Sequence, residues 1–270
     1  RAAWPRTPEL LSWWRWSCGW RCNPGDGTPD GSRLFWSEPM TPETACHASE
    51  RLAREQICEA GRILYDLGLV AATDGNLSVR LAPDRFLCTP GGISKGFMTP
   101  RDLVIVDARG EKISGTRNPT SEIFTHLAAF EERLDIVAVV HAHPPVATAL
   151  TIAGHDMTAP VVPEVIMGLM AIPTAGYATP GSREGADVVR PWIGRYDALL
   201  LDRHGAITVG ADPLEAAMKM DKVEHTARVL HAALTVGRVQ RLTPEAVRKL
   251  VDFYDSHHAR PFGEYPFPGQ

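Results

Sequence analysis

His141 and His143 close an apolar run, Ile136-Val137-Ala138-Val139-Val140-His141-Ala142-His143, that two prolines then stop. The β-branched composition predicts a buried strand. Side chains on a strand alternate between faces, so residues two apart share one, and both imidazoles point the same way from the strand's end. That placement suits a pair of metal ligands, and equally two polar residues at a strand end. Two further residues tip the balance: Glu122 in Pro119-Thr120-Ser121-Glu122, and His204 in Asp202-Arg203-His204-Gly205. Three imidazoles, His141, His143 and His204, satisfy a zinc site with one open position, and three neutral nitrogens leave the ion strongly Lewis acidic. Such an ion polarises a carbonyl or holds an enediolate; manganese or cobalt would suit the same donors. Glu122 is placed to act as general base, although a carboxylate in the first turn of a helix also serves as a plain cap.

Two loops have the make-up of anion cradles: Thr73-Asp74-Gly75-Asn76 and Thr89-Pro90-Gly91-Gly92. Each combines free backbone N–H groups with hydroxyl or amide side chains, as phosphate sites do, and each is also an ordinary turn sequence. Thr120 and Ser121 would add donors at a helix N-terminus, and Lys95 positive charge. The remaining histidines (His47, His126, His225, His231, His257, His258, and His155 in a turn) read as helix-face, turn or chain-end residues.

The elements that must position these groups follow from period and punctuation. A helix is expected from Thr41-Pro42, with Leu52, Cys58, Ile63, Leu64 and Leu67 as its apolar stripe up to Gly68. Leu77–Leu81, Phe86–Cys88 and Leu103–Asp107 read as strands. A helix over Pro119–Glu132 would be capped by Thr120 or Ser121. Further helices are expected at about 145–153, 182–195, 213–236 and 244–257, with strands over Ala198–Asp202 and Ala206–Val209 hinged at His204-Gly205. Strands and helices mix without regular βαβ alternation, which predicts a three-layer α/β/α domain with a central, mainly antiparallel sheet.

Six of the seven tryptophans (4, 13, 14, 16, 20 and 36) fall before Met40, in a stretch crowded with Pro, Gly and Arg. Residues 1–39 read as a poorly ordered extension outside the chemistry, with Met40 as the native start and 40–270 as one domain. A hydrophobic content of 44% in 270 residues supports a real core, and a net charge of -4 gives no reason to expect nucleic acid or a membrane surface. No apolar stretch nears the roughly 20 residues of a spanning helix. The cysteines at 18, 22, 46, 58 and 88 match no zinc spacing and read as reduced thiols, so a cytoplasmic location is expected.

Taken in order, Thr73-Asp74-Gly75-Asn76-Leu77-Ser78, Thr89-Pro90-Gly91-Gly92, Pro119-Thr120-Ser121-Glu122, His141-Ala142-His143 and Arg203-His204-Gly205 resemble the motifs of class II aldolases of the aldolase/adducin family. The resemblance spans about Leu52 to Val236 and is closest to L-fuculose-phosphate aldolases. It implies one Zn2+ per subunit on His141, His143 and His204, and Glu122 as base or acid. The phosphate of a ketose 1-phosphate would lie against Thr73, Gly75, Asn76, Thr89, Gly92, Thr120 and Ser121. It also implies a fourfold homo-oligomer with sites at subunit interfaces. The implied reaction is reversible cleavage to dihydroxyacetone phosphate and a short aldehyde.

Two departures bear on the substrate. Arg203 stands where the family frequently has asparagine before the third histidine. Pro160–Ile166 carries no aromatic residue where the fuculose-phosphate enzymes have one; Tyr177, Tyr254 and Tyr265 are candidate replacements. Rival readings are a sugar-phosphate 4-epimerase, which typically has aspartate at position 122, a dehydratase or decarboxylase of the same family, and a non-catalytic adducin-like module, which tends to lose the zinc histidines.

Overall fold

The computed structural model describes residues 49–257 and Tyr265. The expectations for residues 1–39, and for a helix start at Thr41-Pro42, lie outside the described residues.

The strands are β1 (Asn76–Ala82), β2 (Arg85–Cys88), β3 (Val104–Val106), β4 (Lys112–Ser114), β5 (Ala138–Ala142), β6 (Thr174–Ala175), β7 (Ala198–Leu201) and β8 (Gly205–Gly210). They form one sheet in the order β4-β3-β2-β1-β5-β8-β7-β6. Every neighbouring pair is antiparallel except β6–β7. The helices are α1 (Glu50–Asp66), α2 (Ile123–Glu132), α3 (Pro145–Ile152), α4 (Pro163–Leu169), α5 (Glu184–Ile193), α6 (Pro213–Val236) and α7 (Pro244–His257).

Strand alternation sorts the core into two layers. Ala138, Val140 and Ala142 pack with α1, α3 and α6 on one face. Val139, Ile207 and Val209 pack with α2, α5 and α7 on the other. This is the three-layer arrangement with a mainly antiparallel sheet that the sequence predicts. His141, in phase with Val139, therefore faces the α2 side.

The structure corrects several local expectations. Ser49 caps α1 by accepting from the Leu52 N–H. Its buried stripe is Ala53, Ile57, Cys58, Ala60, Gly61 and Leu64. Leu52 and Leu67, taken as core from spacing, are 47% and 41% exposed. The helix expected from Pro119 starts only at Ile123: Pro119–Thr120 leaves as a bridge strand against Pro90, and Glu122 occupies the N-cap without making a side-chain cap. Three short elements were not expected. They are β4, whose three residues are all exposed, β6 of two residues, and α4 of seven, which starts at a proline. Cys58 and Cys88 are buried free thiols.

Candidate metal centre

Register sets the centre. Across the β1–β5 ladder Asn76 stands opposite His141, and across β5–β8 His141 stands opposite Ile207. His143 lies one step past the end of β5, tied by its N–H to the Leu69 carbonyl at 2.9 Å. His204 ends the tight turn between β7 and β8, where Arg203 has a φ of 57°. That turn presses on β5: a Cβ at Gly205 would lie 2.3 Å from the Ala142 carbonyl and 2.9 Å from the His143 ring, so only glycine fits. The result gathers one ring nitrogen from each of His141, His143 and His204 within 4.8 Å of one another.

The protonation states follow from the partners. The His141 Nδ1 lies 2.9 Å from the Ala206 carbonyl, which can only accept, so Nδ1 carries the proton and Nε2 turns a lone pair inward. That Nε2 sits 3.0 Å from His143 Nε2. Burial pushes His141 down to about 3, against the pull of Glu122, and lowers His204 as well, so these rings are neutral at pH 7. Glu122 reaches His141 and His204, each at 3.3 Å, with its two oxygens. Burial alone would raise the Glu122 carboxyl; positive charge at His141 and His204 and the Asn76 amide pull it below the usual carboxylate range, and with these rings neutral that positive charge is what a bound cation would supply. Inward-facing neutral nitrogens beside an ionised carboxylate repel one another unless a cation lies among them. The donor set thus fits a divalent metal of the zinc type.

Around this centre the structure places the remaining expected residues unevenly. Asn76 is 4% exposed and donates from Nδ2 to Glu122 Oε2 at 2.7 Å, so its amide holds the carboxylate. Gly75 is buried with a φ of 73°, and a Cβ there would meet Val70 at 2.6 Å. Thr89 is fully buried; its hydroxyl accepts from the Leu77 N–H and its carbonyl from the Thr120 N–H, which ties the two loops. The Thr120 hydroxyl accepts from the Glu122 N–H at 3.3 Å. Thr73, Gly92 and Ser121 are exposed. Lys95, at 1% exposed, joins the two cradles by donating from Nζ to the Thr73 and Ile93 carbonyls, 2.7 Å each. A small cleft opens beside Glu122, walled by Thr125, Gly176, Ala178, Pro180 and Gly181.

Of the candidate aromatic residues, Tyr177 lies in sequence between Gly176 and Ala178, which line the cleft, and is 61% exposed. Tyr265 donates to the Thr158 carbonyl and lines a different, apolar cavity. Tyr254 lies in the field of Asp197 and Lys219.

Sequence reasoning missed His126. It is fully buried and bonds Asn76 and Ser78, next to Glu122. The available signal was its spacing: four residues after Glu122, hence on one helix face.

Residues 55–231 match the family model of the class II aldolase and adducin N-terminal domain. A 3-oxo-tetronate 4-phosphate decarboxylase of Pectobacterium atrosepticum is 31% identical over 219 residues, covering 79% of this chain and 99% of the relative. An L-fuculose phosphate aldolase of Methanococcus maripaludis is 36% identical over 168 residues, covering 62% of this chain and 90% of the relative. Among solved structures, an L-fuculose 1-phosphate aldolase superposes with a TM-score of 0.71 at 27% identity, over 78% of this chain and 99% of the other.

Proposed function

The chain belongs to the class II aldolase and adducin family, and we propose that it is a zinc-dependent lyase that reversibly cleaves a ketose 1-phosphate of the L-fuculose 1-phosphate type to dihydroxyacetone phosphate and a short aldehyde. One observation carries this reading: an ionised Glu122 lies 3.3 Å from two of three converging imidazoles. His141, His143 and His204 would hold the zinc, which when bound supplies Lewis acidity for negative charge developing on neighbouring oxygens.

The chain's own residues do the rest. Thr73, Gly75, Gly92, Thr120 and Ser121 offer N–H and hydroxyl donors to the phosphate, with the Asn76 amide and Thr89 as the loops' inner supports. In cleavage, the substrate's C4 hydroxyl gives up its proton to the ionised Glu122 carboxylate, which thereby becomes the acid of the next step. The C3–C4 bond breaks, the aldehyde leaves, and the electron pair stays as the enediolate of dihydroxyacetone phosphate. Glu122, protonated, delivers a proton to C3 and removes it again in the reverse direction. A homotetramer and a cytoplasmic location belong to the same reading.

A second reading has its own support, since a decarboxylase relative is matched along nearly its whole length. A 3-oxo-tetronate 4-phosphate that loses C1 as CO2 leaves the same enediolate, which Glu122 would protonate at C2. The two reactions thus share every group named above and differ in what leaves.

Zinc-loaded protein offered L-fuculose 1-phosphate and, separately, 3-oxo-tetronate 4-phosphate decides between them, with dihydroxyacetone phosphate and CO2 as readouts. The aldolase reading expects dihydroxyacetone phosphate from the first, reduced about 10²- to 10⁴-fold in Glu122→Gln with the metal content unchanged. Product only from the second, with CO2, transfers the proposal to the decarboxylase.

A further inference from the structure

Two elements each present a pair of polar residues to the other. On β1, Asn76 and Ser78 are two apart and share a face. On the α2 side, Glu122 and His126 are four apart and share a face. The pairs interlock as one chain of hydrogen bonds: Ser78 Oγ to His126 Nδ1 at 2.6 Å, His126 Nε2 to Asn76 Oδ1 at 2.5 Å, and Asn76 Nδ2 to Glu122 Oε2 at 2.7 Å.

Only one arrangement of protons satisfies all three contacts. The Asn76 NH2 faces Glu122, donating to its Oε2. Asn76 Oδ1 then faces His126, whose Nε2 must carry the proton. Nδ1 is left bare and accepts from the Ser78 hydroxyl. His126 is fully buried, and burial lowers its pKa to about 4, so the neutral ring that this chain requires is the stable form.

We infer that His126 is a positioning residue for Glu122: its Nε2–H fixes the orientation of the Asn76 amide, and the amide holds the Glu122 carboxylate against the imidazole cluster. Without that donor the amide is free to turn its oxygen toward the carboxylate, which pushes Glu122 off its place. The inference rests on reading Glu122 as the group that moves the proton. A merely structural histidine would affect stability and leave turnover of the folded enzyme alone.

The test uses zinc-loaded full-length protein and dihydroxyacetone phosphate in D2O, following deuterium entry at C3 by proton NMR. His126→Phe fills the space without a donor; His126→Gln restores an N–H. The expected result for His126→Phe is a 10- to 100-fold lower exchange rate constant, with the concentration of half-saturation within about twofold of wild type. His126→Gln should recover part of the rate, and His126→Phe should cost less than about twofold further in an Asn76→Ala background. An unchanged rate constant in a folded His126→Phe, or full additivity with Asn76→Ala, overturns the inference.

If His126→Phe does not fold, His126→Gln and Asn76→Ala give the same comparison. If the wild type exchanges no deuterium, the proposed reaction fails instead, and 15N-histidine NMR settles the positioning claim separately. A single Nε2–H tautomer at His126 that becomes mixed in Asn76→Ala supports it. An Nδ1–H tautomer in the wild type sinks it, because the Asn76 amide would then face the other way.

Discussion

The two halves of the site are built differently. The imidazole half stands on the middle of the sheet: His141 lies inside β5 between β1 and β8, and His204 is held by a turn that leaves room only for Gly205. The cradle half is made of loops 73–76, 89–95 and 118–121. It is joined by the Pro90–Pro119 bridge, a few backbone bonds and the buried ammonium of Lys95. The first half is held by ladders that cannot slip without moving a whole strand. The second is held by individual contacts, any one of which a single substitution removes. On the proposed reading, charge handling falls to rigid structure and substrate capture to structure that can be retuned.

Removing a ligand from the rigid half gives the largest effect. His141→Ala should leave the protein without stoichiometric metal by elemental analysis and lower turnover at least about 10³-fold, as chelation of the wild type would. Retention of one metal per chain in that variant would break the contrast outright.

Acid should separate the halves next. Burial pushes the His126 ring of the folded chain down to about 4 from the ordinary 6.5, so the unfolded chain binds the extra proton first as pH falls. Stability is therefore complete above pH 6.5 and is lost on the way down to about 4. Between pH 7 and 5 the wild type should lose roughly 2 kcal/mol more than His126→Gln in urea unfolding, since one pKa unit is about 1.4 kcal/mol.

In the cradle, Lys95→Met strips donors from the Thr73 and Ile93 carbonyls. Burial already pulls the Lys95 amine down to about 8, against the pull of Asp74 and Glu122, so the ammonium is held there at a cost. The variant should raise KM for a phosphorylated substrate, and the inhibition constant of inorganic phosphate, about tenfold with metal content unchanged. A change in metal content instead would mean that the halves are coupled.

The smallest effect is expected at Arg203, whose φ of 57° is left-handed backbone. Arg203→Asn places there a residue that tolerates this region and should stabilise the fold by about 1 kcal/mol, read as a higher melting temperature.

What the sequence shows of these halves follows the same division. The histidine strand is a dense β-branched run stopped by prolines, α7 carries a strong helical period, and α6 starts at a proline and ends at a glycine, so their extents could be read from the sequence. β4, β6 and α4 have two to seven residues each and exist because of what they pair with, which no local pattern announces. The α1 stripe was misplaced for a related reason: small residues, Ala53, Ala60 and Gly61, do the close packing, and larger ones such as Leu52 remain outside. The candidate metal ligands stood out by residue type. His126 did not, because its part depends on Asn76, which is 50 residues away along the chain. Nor did the inward turn of Lys95, whose partners are backbone carbonyls.

The opposition of Asn76 and His141 across one ladder has a consequence for how the molecule opens. Amides in the central strands exchange with solvent only when the sheet as a whole comes apart, whereas loop amides exchange through small local openings. Amide protons of Val139 to His141 should therefore be among the slowest to exchange, and those of Gly91 to Gly96 much faster. On warming, the enzyme would lose its grip on substrate while still holding its ion.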